Sequence, residues 1–206
     1  MKLVYATGNP GKFEEARKFF GYHNLELNSP SEFGVKVEVD EVGKTLEENA
    51  RLKALAYQKA LPHNCIVIGD DTGVEIDELG GDPGIHVRRW KGYEMTDQEI
   101  VEHCLSLLKT VPLGKRGAQF RTVLAVSVST QPVKYFEGIR RGVILRTPTK
   151  HLEKGMPFWS IFYLSDLNMS LGEFHTQPLS LQLEHPTHRE RAFMSALPYI
   201  KGILGI

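Results

Sequence analysis

The first segment with residue types suited to ligand chemistry is Thr7-Gly8-Asn9-Pro10-Gly11-Lys12, which directly follows a short apolar stretch. Asn9 is a natural helix N-cap and Pro10 suits the first helical position, so the segment predicts a tight loop that leads into a helix. The free N–H groups and the positive dipole end of that helix, together with the Lys12 ammonium group, would suit a phosphate. The spacing differs from that of a Walker A loop, and an ordinary capped turn explains the segment equally well.

Acidic residues form a second group of candidates. Asp70 and Asp71 follow an apolar stretch, at a position where α/β proteins place ligands. Adjacent carboxylates repel each other, and a bound Mg²⁺ would compensate for both charges. A turn in which Asp caps backbone groups is the simpler interpretation of this pair alone. Glu41, beside Asp40, could complete a metal site or belong to a solvated acidic loop.

Further polar residues could bind the rest of a phosphorylated ligand. Asn49 and Lys53 lie four residues apart on one face of a predicted helix, where they could join Lys12 in a donor cluster for a triphosphate. Pairing of Lys53 with a nearby Glu on an exposed face is the alternative. His188 and Arg189 fall in the first turn of another predicted helix, where cations oppose the dipole. That placement hints at a function, although two solvated surface residues would also explain it.

Aromatic residues in one segment could contact a base. Phe158, Trp159 and Phe162 lie within five residues of each other and could supply a stacking surface. Such a run is more often part of a hydrophobic core. Both interpretations remain open at this point.

The candidate residues lie on predicted helices and strands that alternate in the first half of the chain. The middle of the chain is rich in predicted strands. This order favours an α/β protein with a long, twisted mixed sheet. Predicted helices follow Asn9, Thr45, Thr96 and Thr187; capping boxes mark the second and third, the second extends to about Ala60, and Pro198 should end or kink the fourth. Predicted strands cover residues 3–6, 25–27, 35–39, 65–68, 74–76, 119–129, 133–137, 143–145 and 158–164.

The composition limits the class of protein. The 206 residues, 41% of them hydrophobic, can bury one substantial core in a single domain or in two closely joined lobes. Lys plus Arg and Asp plus Glu both number 25, so bulk charge indicates neither a nucleic-acid polymer nor an anionic membrane as partner. Cys65 and Cys104 are expected to be free buried thiols rather than a disulfide. No signal peptide or membrane-spanning stretch is recognisable, which predicts a cytoplasmic protein.

The order of these segments resembles the inosine triphosphate pyrophosphatase family, whose members act on purine nucleotides with non-standard bases. The segments that carry the resemblance are, in chain order, Thr7 to Lys12 with Glu15, Glu48-Asn49-Ala50 with Lys53-Ala54, Asp70-Asp71-Thr72-Gly73, Leu79-Gly80-Gly81-Asp82-Pro83-Gly84 with Arg89 and Gly92, Phe120, Gly142-Val143-Ile144, and Thr187-His188-Arg189. The resemblance implies an elongated α/β fold, in which two lobes of one domain flank a central cleft. It also implies a homodimer.

The resemblance also implies roles for individual residues. Asp71 is expected to act as general base and metal ligand, with Glu41 and Asp70 beside the same Mg²⁺. Lys53 would assist in binding the triphosphate, and Thr72 stands where the family usually has a serine. The expected substrate-binding residues are Thr7, Gly8, Asn9, Lys12, Asn49, Thr72, Arg89, Phe158, Trp159, His188 and Arg189. In this scheme Asp71 activates a water that attacks the α-phosphorus, and pyrophosphate leaves.

The sequence departs from the family pattern where the base would be bound. A Phe-Gly-Tyr-Asp-Pro segment of the family is replaced here by Met156-Pro157-Phe158-Trp159-Ser160, and Leu183 replaces a lysine. A site without polar partners for a purine edge should not select strongly for it. The leading hypothesis is Mg²⁺-dependent hydrolysis of a purine nucleoside triphosphate with a non-standard base to NMP and pyrophosphate. The alternatives are the same chemistry on another modified or pyrimidine nucleotide, and a non-catalytic nucleotide-binding protein.

Overall fold

The computed structural model describes residues 1–129 and 131–206, and within them it confirms the α/β class with a long mixed sheet. The strands of this sheet are β1 (Lys2–Ala6), β2 (Leu27–Asn28), β3 (Cys65–Ile76), β4 (Pro83–Gly84), β5 (Gly117–Val128), β6 (Gln131–Ile144), β7 (Phe162–Leu164) and β8 (Met169–Ser170). They follow the order β2-β1-β3-β5-β6-β7-β8, with β4 paired to β3. The helices are α1 (Pro10–Tyr22), α2 (Leu46–Ala60), α3 (Asp97–Leu107), α4 (Leu171–Phe174), α5 (Leu179–Glu184) and α6 (His188–Leu204).

The chain forms two compact units. The first comprises Met1–Thr72, Thr122–Gly138 and His188–Ile206, and the second comprises Gly73–Arg121 and Ile139–Thr187. In the first unit β1 pairs in parallel with both β2 and β3. In the second unit β4 pairs antiparallel with the end of β3, and β7 pairs antiparallel with the end of β6 and with β8.

The first unit places its helices on both faces of the parallel strands. The chain passes from β1 through α1 to β2, and then through α2 back across β1 to β3. Since such crossovers are right-handed, the reversal of direction puts α1 and α2 on opposite faces of the sheet. The side chains agree, because Tyr5 packs against Phe193 of α6, whereas Val4 and Ala6 cluster with Tyr57 of α2. The carboxyl ends of β1 and β3 therefore flank a topological switch point, where open α/β sheets bind ligands.

Strand β3 corrects the sequence prediction. Two short strands with a turn between them were expected, but Cys65–Ile76 is one continuous strand that includes Asp70 and Asp71. The glycine that suggested a turn has a packing reason instead. A Cβ at Gly69 would overlap backbone atoms of Ala50 and Ala54, so α2 lies directly against the strand at this point.

The strand predicted at residues 35–39 is wrong. Val35, Val37 and Val39 pack against the cluster that contains Tyr57, which accounts for their alternating pattern. The Tyr57 hydroxyl also donates to the Val37 carbonyl, at 3.2 Å. Within the described part of the chain this segment pairs with no strand, so it is an extended connection held by side chains.

Other element predictions were closer to the structure. Helix α2 ends at Ala60 as expected, and Thr96 with Glu99 forms the predicted capping box of α3. Thr45 caps α2, but Glu48 accepts from the Lys44 N–H instead of closing a capping box.

Helix α6 continues past Pro198 to Leu204. Proline leaves the carbonyl four residues earlier without its helical partner, and both Pro198 and that residue, Met194, are exposed, so water can bind the carbonyl.

Later strand predictions were too short or displaced. The second strand of the predicted hairpin is longer than expected, because β6 continues to Ile144. It thereby takes in most of the separate strand predicted at residues 143–145, while β5 lies close to the strand predicted at residues 119–129. Residues 158–164 do not form one strand, because Pro157–Ser160 is a 3₁₀ helix and only Phe162–Leu164 is strand.

The state of the cysteines and the absence of a membrane-spanning stretch were the two expectations drawn from composition. Cys65 and Cys104 are both buried and free, as predicted. Among the helices described, none combines the length and the apolar character needed to cross a membrane.

The contact between α2 and Gly69 can be tested by mutation. Gly69→Ala should lower the free energy of unfolding by about 1–3 kcal/mol, the usual effect of overpacking, because the new methyl group overlaps the α2 backbone. Urea denaturation measures this change. Gly21→Ala in α1 is the control, since a Cβ there meets nothing within 4 Å, and this variant should be at least as stable as the parent. Equal effects of the two substitutions would contradict the proposed close contact.

Candidate active site

The loop after β1 is held by its own side chains. The Asn9 carboxamide oxygen accepts from the backbone N–H groups of Gly11, at 2.9 Å, and Lys12, at 3.2 Å, as an N-cap of α1. The Thr7 hydroxyl accepts from the Asn9 N–H at 3.1 Å. These contacts confirm the predicted strand–loop–helix, and they place Lys12 in the first turn of α1. Binding of a phosphate by Thr7, exposed Gly8 and Asn9 remains a prediction.

Lys12 lies against a buried carboxylate. Its ammonium group pairs with Oδ1 of Asp70, whose side chain is 1% exposed. The other oxygen of Asp70, Oδ2, accepts from Nε of Arg189 at 3.2 Å. Asp70 therefore has a different cation on each oxygen.

Lys53 occupies the equivalent position at the next carboxylate. Its ammonium group lies 3.2 Å from Oδ1 of Asp71, 2.9 Å from Glu41, and 3.0 Å from the carbonyl oxygen of Asp70. The Asn49 amide donates to Oδ2 of Asp71 at 3.1 Å. The two residues of α2 predicted to form a donor cluster thus hold Asp71 from two sides. Lys53 also pairs with a nearby Glu, but its side chain is only 14% exposed, so this is not the exposed-face pairing of the alternative interpretation.

The two adjacent carboxylates have opposite electrostatic environments. Burial alone would raise the pKa of Asp70, but the charges of Lys12 and Arg189 hold it well below its usual range. Burial raises the pKa of Asp71, Glu41 adds to the effect, and the lysines offset it only in part. Asp70 is consequently a firmly ionised group, whereas Asp71 has a stronger affinity for a proton than an ordinary Asp.

A buried guanidinium group completes the cluster. The Arg189 side chain is 2% exposed and contacts three acceptors, namely Glu15, Oδ2 of Asp70, and the Thr72 hydroxyl at 3.2 Å. The Thr72 hydroxyl also shares a hydrogen bond with that of Thr122, at 2.8 Å. Burial of Arg189 excludes the solvated surface position that the sequence left open. The neighbouring His188 is buried as well.

Glu15 is the residue of this cluster to which sequence analysis assigned no role. Its position relative to Lys12 was the available signal, because residues three apart share a helix face. An acidic residue on a helix face that packs into the fold needs a cationic partner. That partner, Arg189, lies 174 residues away in sequence, so the pairing could not be read from local spacing.

The carboxylates suit Mg²⁺ in chemistry, although they do not form a ready-made cage. In residues 1–129 and 131–206 no three His, Cys, Asp or Glu side chains converge closely enough to hold a metal. Alternation along β3 explains this, since it directs Asp70 toward α1 and α6, and Asp71 toward α2. Mg²⁺ commonly binds through one or two carboxylates together with substrate phosphates and water. Asp71, with Glu41 linked through Lys53, fits that mode. Both oxygens of Asp70 are held by Lys12 and Arg189, so Asp70 as a metal ligand remains a prediction.

The remaining predicted residues belong to the second unit. Phe158 is 2% exposed and packs in the core against Phe120 and Trp90, so it offers no open ring face. Trp159 is partly buried and stacks on His175, with ring centroids 3.9 Å apart. Arg89 ends a 3₁₀ turn with an exposed side chain. A contact of these residues with a nucleotide remains a prediction.

Comparison with known proteins places this chain in a family. The sequence pattern that defines the Ham1 family matches residues 3–199. A dITP/XTP pyrophosphatase of Thermoanaerobacter pseudethanolicus is 36% identical over 200 residues, which cover 97% of this chain and 96% of that protein. The dITP/XTP pyrophosphatase of Bacillus subtilis is 38% identical over 172 residues, covering 84% and 85%.

Solved structures agree with the sequence match. The Ham1 protein of Staphylococcus aureus superposes with a TM-score of 0.78 at 30% identity, over 98% of this chain and 99% of that one. The Ham1 protein of Coxiella burnetii gives a TM-score of 0.75 at 25% identity, over 100% and 98%. The resemblance predicted from the residues is thereby confirmed, and this chain belongs to the Ham1 family.

Proposed function

We propose that this protein hydrolyses a nucleoside triphosphate to the monophosphate and pyrophosphate, by attack of water on the α-phosphorus with assistance from Mg²⁺. One observation supports this most directly. An ionised Asp70 and a more basic Asp71 lie side by side, each paired with a lysine, at the switch point of a parallel sheet. The relatives named dITP/XTP pyrophosphatases support the same reaction class.

The two lysines are the groups that bind phosphate in this proposal. Lys12 and Lys53 now neutralise carboxylates, and their side chains are 17% and 14% exposed. A triphosphate would offer them stronger anionic partners, and the N-terminus of α1 would add N–H donors. Thr7, Gly8 and Asn9 shape the loop that brings this helix end to the ligand.

Asp71 is the proposed general base. Its raised pKa suits proton transfer better than that of an ordinary Asp, and the hydrogen bond from Asn49 together with the Lys53 contact fixes its orientation. Asp71 would hold Mg²⁺ with Glu41 nearby, and Asp70 would join them once Lys12 moves from its carboxylate to a phosphate. When bound, the ion would offset the charge that develops on the phosphates.

Two observations bear on the base of the substrate. The names of the relatives favour inosine or xanthosine nucleotides. The core position of Phe158, in the segment where this chain departs from the family pattern, favours the alternative of another modified or pyrimidine nucleotide. The homodimer, the single-domain organisation and the cytoplasmic location rest on the resemblance and on composition.

Pyrophosphate release by the purified protein tests the reaction. With Mg²⁺ and a panel of standard and modified nucleoside triphosphates, we expect release from inosine or xanthosine triphosphate, which EDTA abolishes and added Mg²⁺ restores. Asp71→Asn should lower kcat by roughly 10²–10⁴-fold, the usual contribution of a general base. Asp77→Asn is the control, because this exposed carboxylate of the second unit pairs with Arg141 on the surface, and its loss should leave kcat unchanged.

The outcomes separate the candidate functions. Preferential release from a pyrimidine or another modified nucleotide would keep the chemistry and change the substrate. Nucleotide binding without release from any member of the panel would support a non-catalytic protein. Unchanged kcat in Asp71→Asn would exclude Asp71 as the base.

The opposite environments of the two carboxylates make a second prediction, about stability. Asp70→Asn should lower the free energy of unfolding at pH 7 by roughly 3–5 kcal/mol, since it leaves Lys12 without a buried anionic partner and takes one of two carboxylates from Arg189. Asp71→Asn should change it by less than about 1 kcal/mol, because the fold raises the pKa of Asp71 and so gains nothing from its ionised form. Urea denaturation of both variants checks this, and similar losses would refute the assigned environments.

A further inference from the structure

Two neighbouring strands of the first unit place a pair of hydroxyl groups beside the acidic cluster. Thr72 follows Asp71 directly on β3, and Thr122 lies on β5, the next strand of the sheet. Their hydroxyl oxygens are 2.8 Å apart, so they share one hydrogen bond in which either could donate. The two residues differ in burial, since Thr122 is 0% exposed and Thr72 is only partly buried. This difference decides which of them is the donor.

Burial makes the Thr122 hydroxyl the donor. A threonine hydroxyl has one hydrogen to donate and two lone pairs that can accept. Among the described residues, Thr72 is the only hydrogen-bond partner of the Thr122 side chain. An oxygen with two lone pairs tolerates an unused one, whereas a single buried hydrogen without an acceptor costs its full desolvation energy. Thr122 therefore gives its hydrogen to Thr72.

Thr72 consequently accepts twice. Its oxygen takes one hydrogen from Thr122 and another from Nη2 of Arg189, which lies 3.2 Å away and can only donate. Both lone pairs of the Thr72 oxygen are thereby occupied. Its own hydrogen has no acceptor in the described part of the chain, and because Thr72 is partly exposed this hydrogen can point out of the protein. Thr72 thus presents a directed donor beside Asp71.

The strand face on which Thr72 lies indicates what it would donate to. Side chains two residues apart on a strand share a face, so Thr72 lies on the same side of β3 as Asp70, which pairs with Lys12. Lys12 binds phosphate in the proposed function. An ionised phosphate oxygen accepts hydrogen bonds and donates none, so it requires a group whose hydrogen already points outward.

We propose that Thr122 is a positioning residue that acts through Thr72. By donating to the Thr72 oxygen, it directs the Thr72 hydrogen to a phosphate oxygen of the nucleotide. This role of Thr122 rests on the proposed function and deepens it, because it adds a neutral donor of fixed direction to the two lysines. Thr122 is fully buried and acts only through its neighbour.

Binding of inorganic triphosphate, measured by calorimetry in buffer with Mg²⁺, tests this role without requiring turnover. Thr122→Val keeps the shape of the side chain and removes its hydroxyl, so the Thr72 hydrogen is no longer held outward. The dissociation constant for triphosphate should rise roughly 3–10-fold, the range for loss of one hydrogen bond. If Thr72 were the donor to Thr122, the same substitution would release its hydrogen and tighten binding, so the sign of the change identifies the donor.

Two further variants are matched controls. Thr122→Ser keeps the hydroxyl and should bind triphosphate like the parent. Ser127→Ala removes another buried hydroxyl of β5, which alternation places on the other face of the strand, and it should also leave triphosphate binding unchanged.

A double-mutant cycle separates the proposed role from a general effect on the fold. Thr72→Val removes the donor itself and should weaken triphosphate binding roughly 10–100-fold, as for a hydrogen bond to a charged group. Adding Thr122→Val to this variant should cause no further loss, because Thr122 acts through the Thr72 hydroxyl. Should Thr122→Val fail to fold, Thr122→Cys carries the same expectation, since a thiol is only a weak donor.

The outcomes that overturn this role differ from the one that overturns the function. Parental or tighter triphosphate binding in Thr122→Val, or a further loss in the double variant, would refute the role of Thr122. A parent protein that does not bind inorganic triphosphate would exclude phosphate as the acceptor and refute it as well. A parent that binds triphosphate, with the expected pattern among the variants, but releases pyrophosphate from no nucleotide would refute the proposed function alone.

Discussion

The site depends on one constraint, namely that β3 continues as a strand through two adjacent carboxylates. Alternation along a strand sends neighbouring side chains to opposite faces, so Asp70 and Asp71 cannot share a partner on one helix. Each therefore has its own support. Asp70 contacts Lys12 of α1 and Arg189 of α6, and Asp71 contacts Lys53 and Asn49 of α2. The two crossovers next to β1 run in opposite directions, so α1 and α2 lie on opposite faces of the sheet. Helices on both faces can therefore supply these contacts.

This pairing of cations with anions keeps the ligand-free site close to electrical balance. Lys12 and Lys53 neutralise the carboxylates that a cation would bind, and the carboxylates neutralise the lysines that a polyanion would bind. A cation or a polyanion that arrived alone would leave buried charges unpaired. Under the proposed function, a nucleotide and a divalent cation that arrive together would exchange partners with both sets, so the site would favour the complex of the two over either one.

Local features of the site could be predicted from the sequence, and its long-range contacts could not. The Thr7–Lys12 loop carries its own signals in Asn9 and Pro10, and the structure has the predicted strand, cap and helix there. Gly69 suggested a turn because sequence alone does not show that α2 packs against it. Phe158 fitted both a stacking surface and a core, and only tertiary packing distinguishes these. Glu15 and Arg189 form a pair whose members look unrelated until the helices α1 and α6 lie together.

The sequence separation within the cluster has a consequence for synthesis of the chain. Glu15 and Arg189 are 174 residues apart, and Asp70 and Arg189 are 119 apart. Contacts of such long range cost loop-closure entropy and slow folding. While a ribosome is still making α6, the emerging chain already contains the loop, both aspartates and both lysines, with Glu15 and Asp70 still lacking Arg189. The cluster is therefore complete only after α6 has been synthesised and Arg189 lies against Glu15 and Asp70.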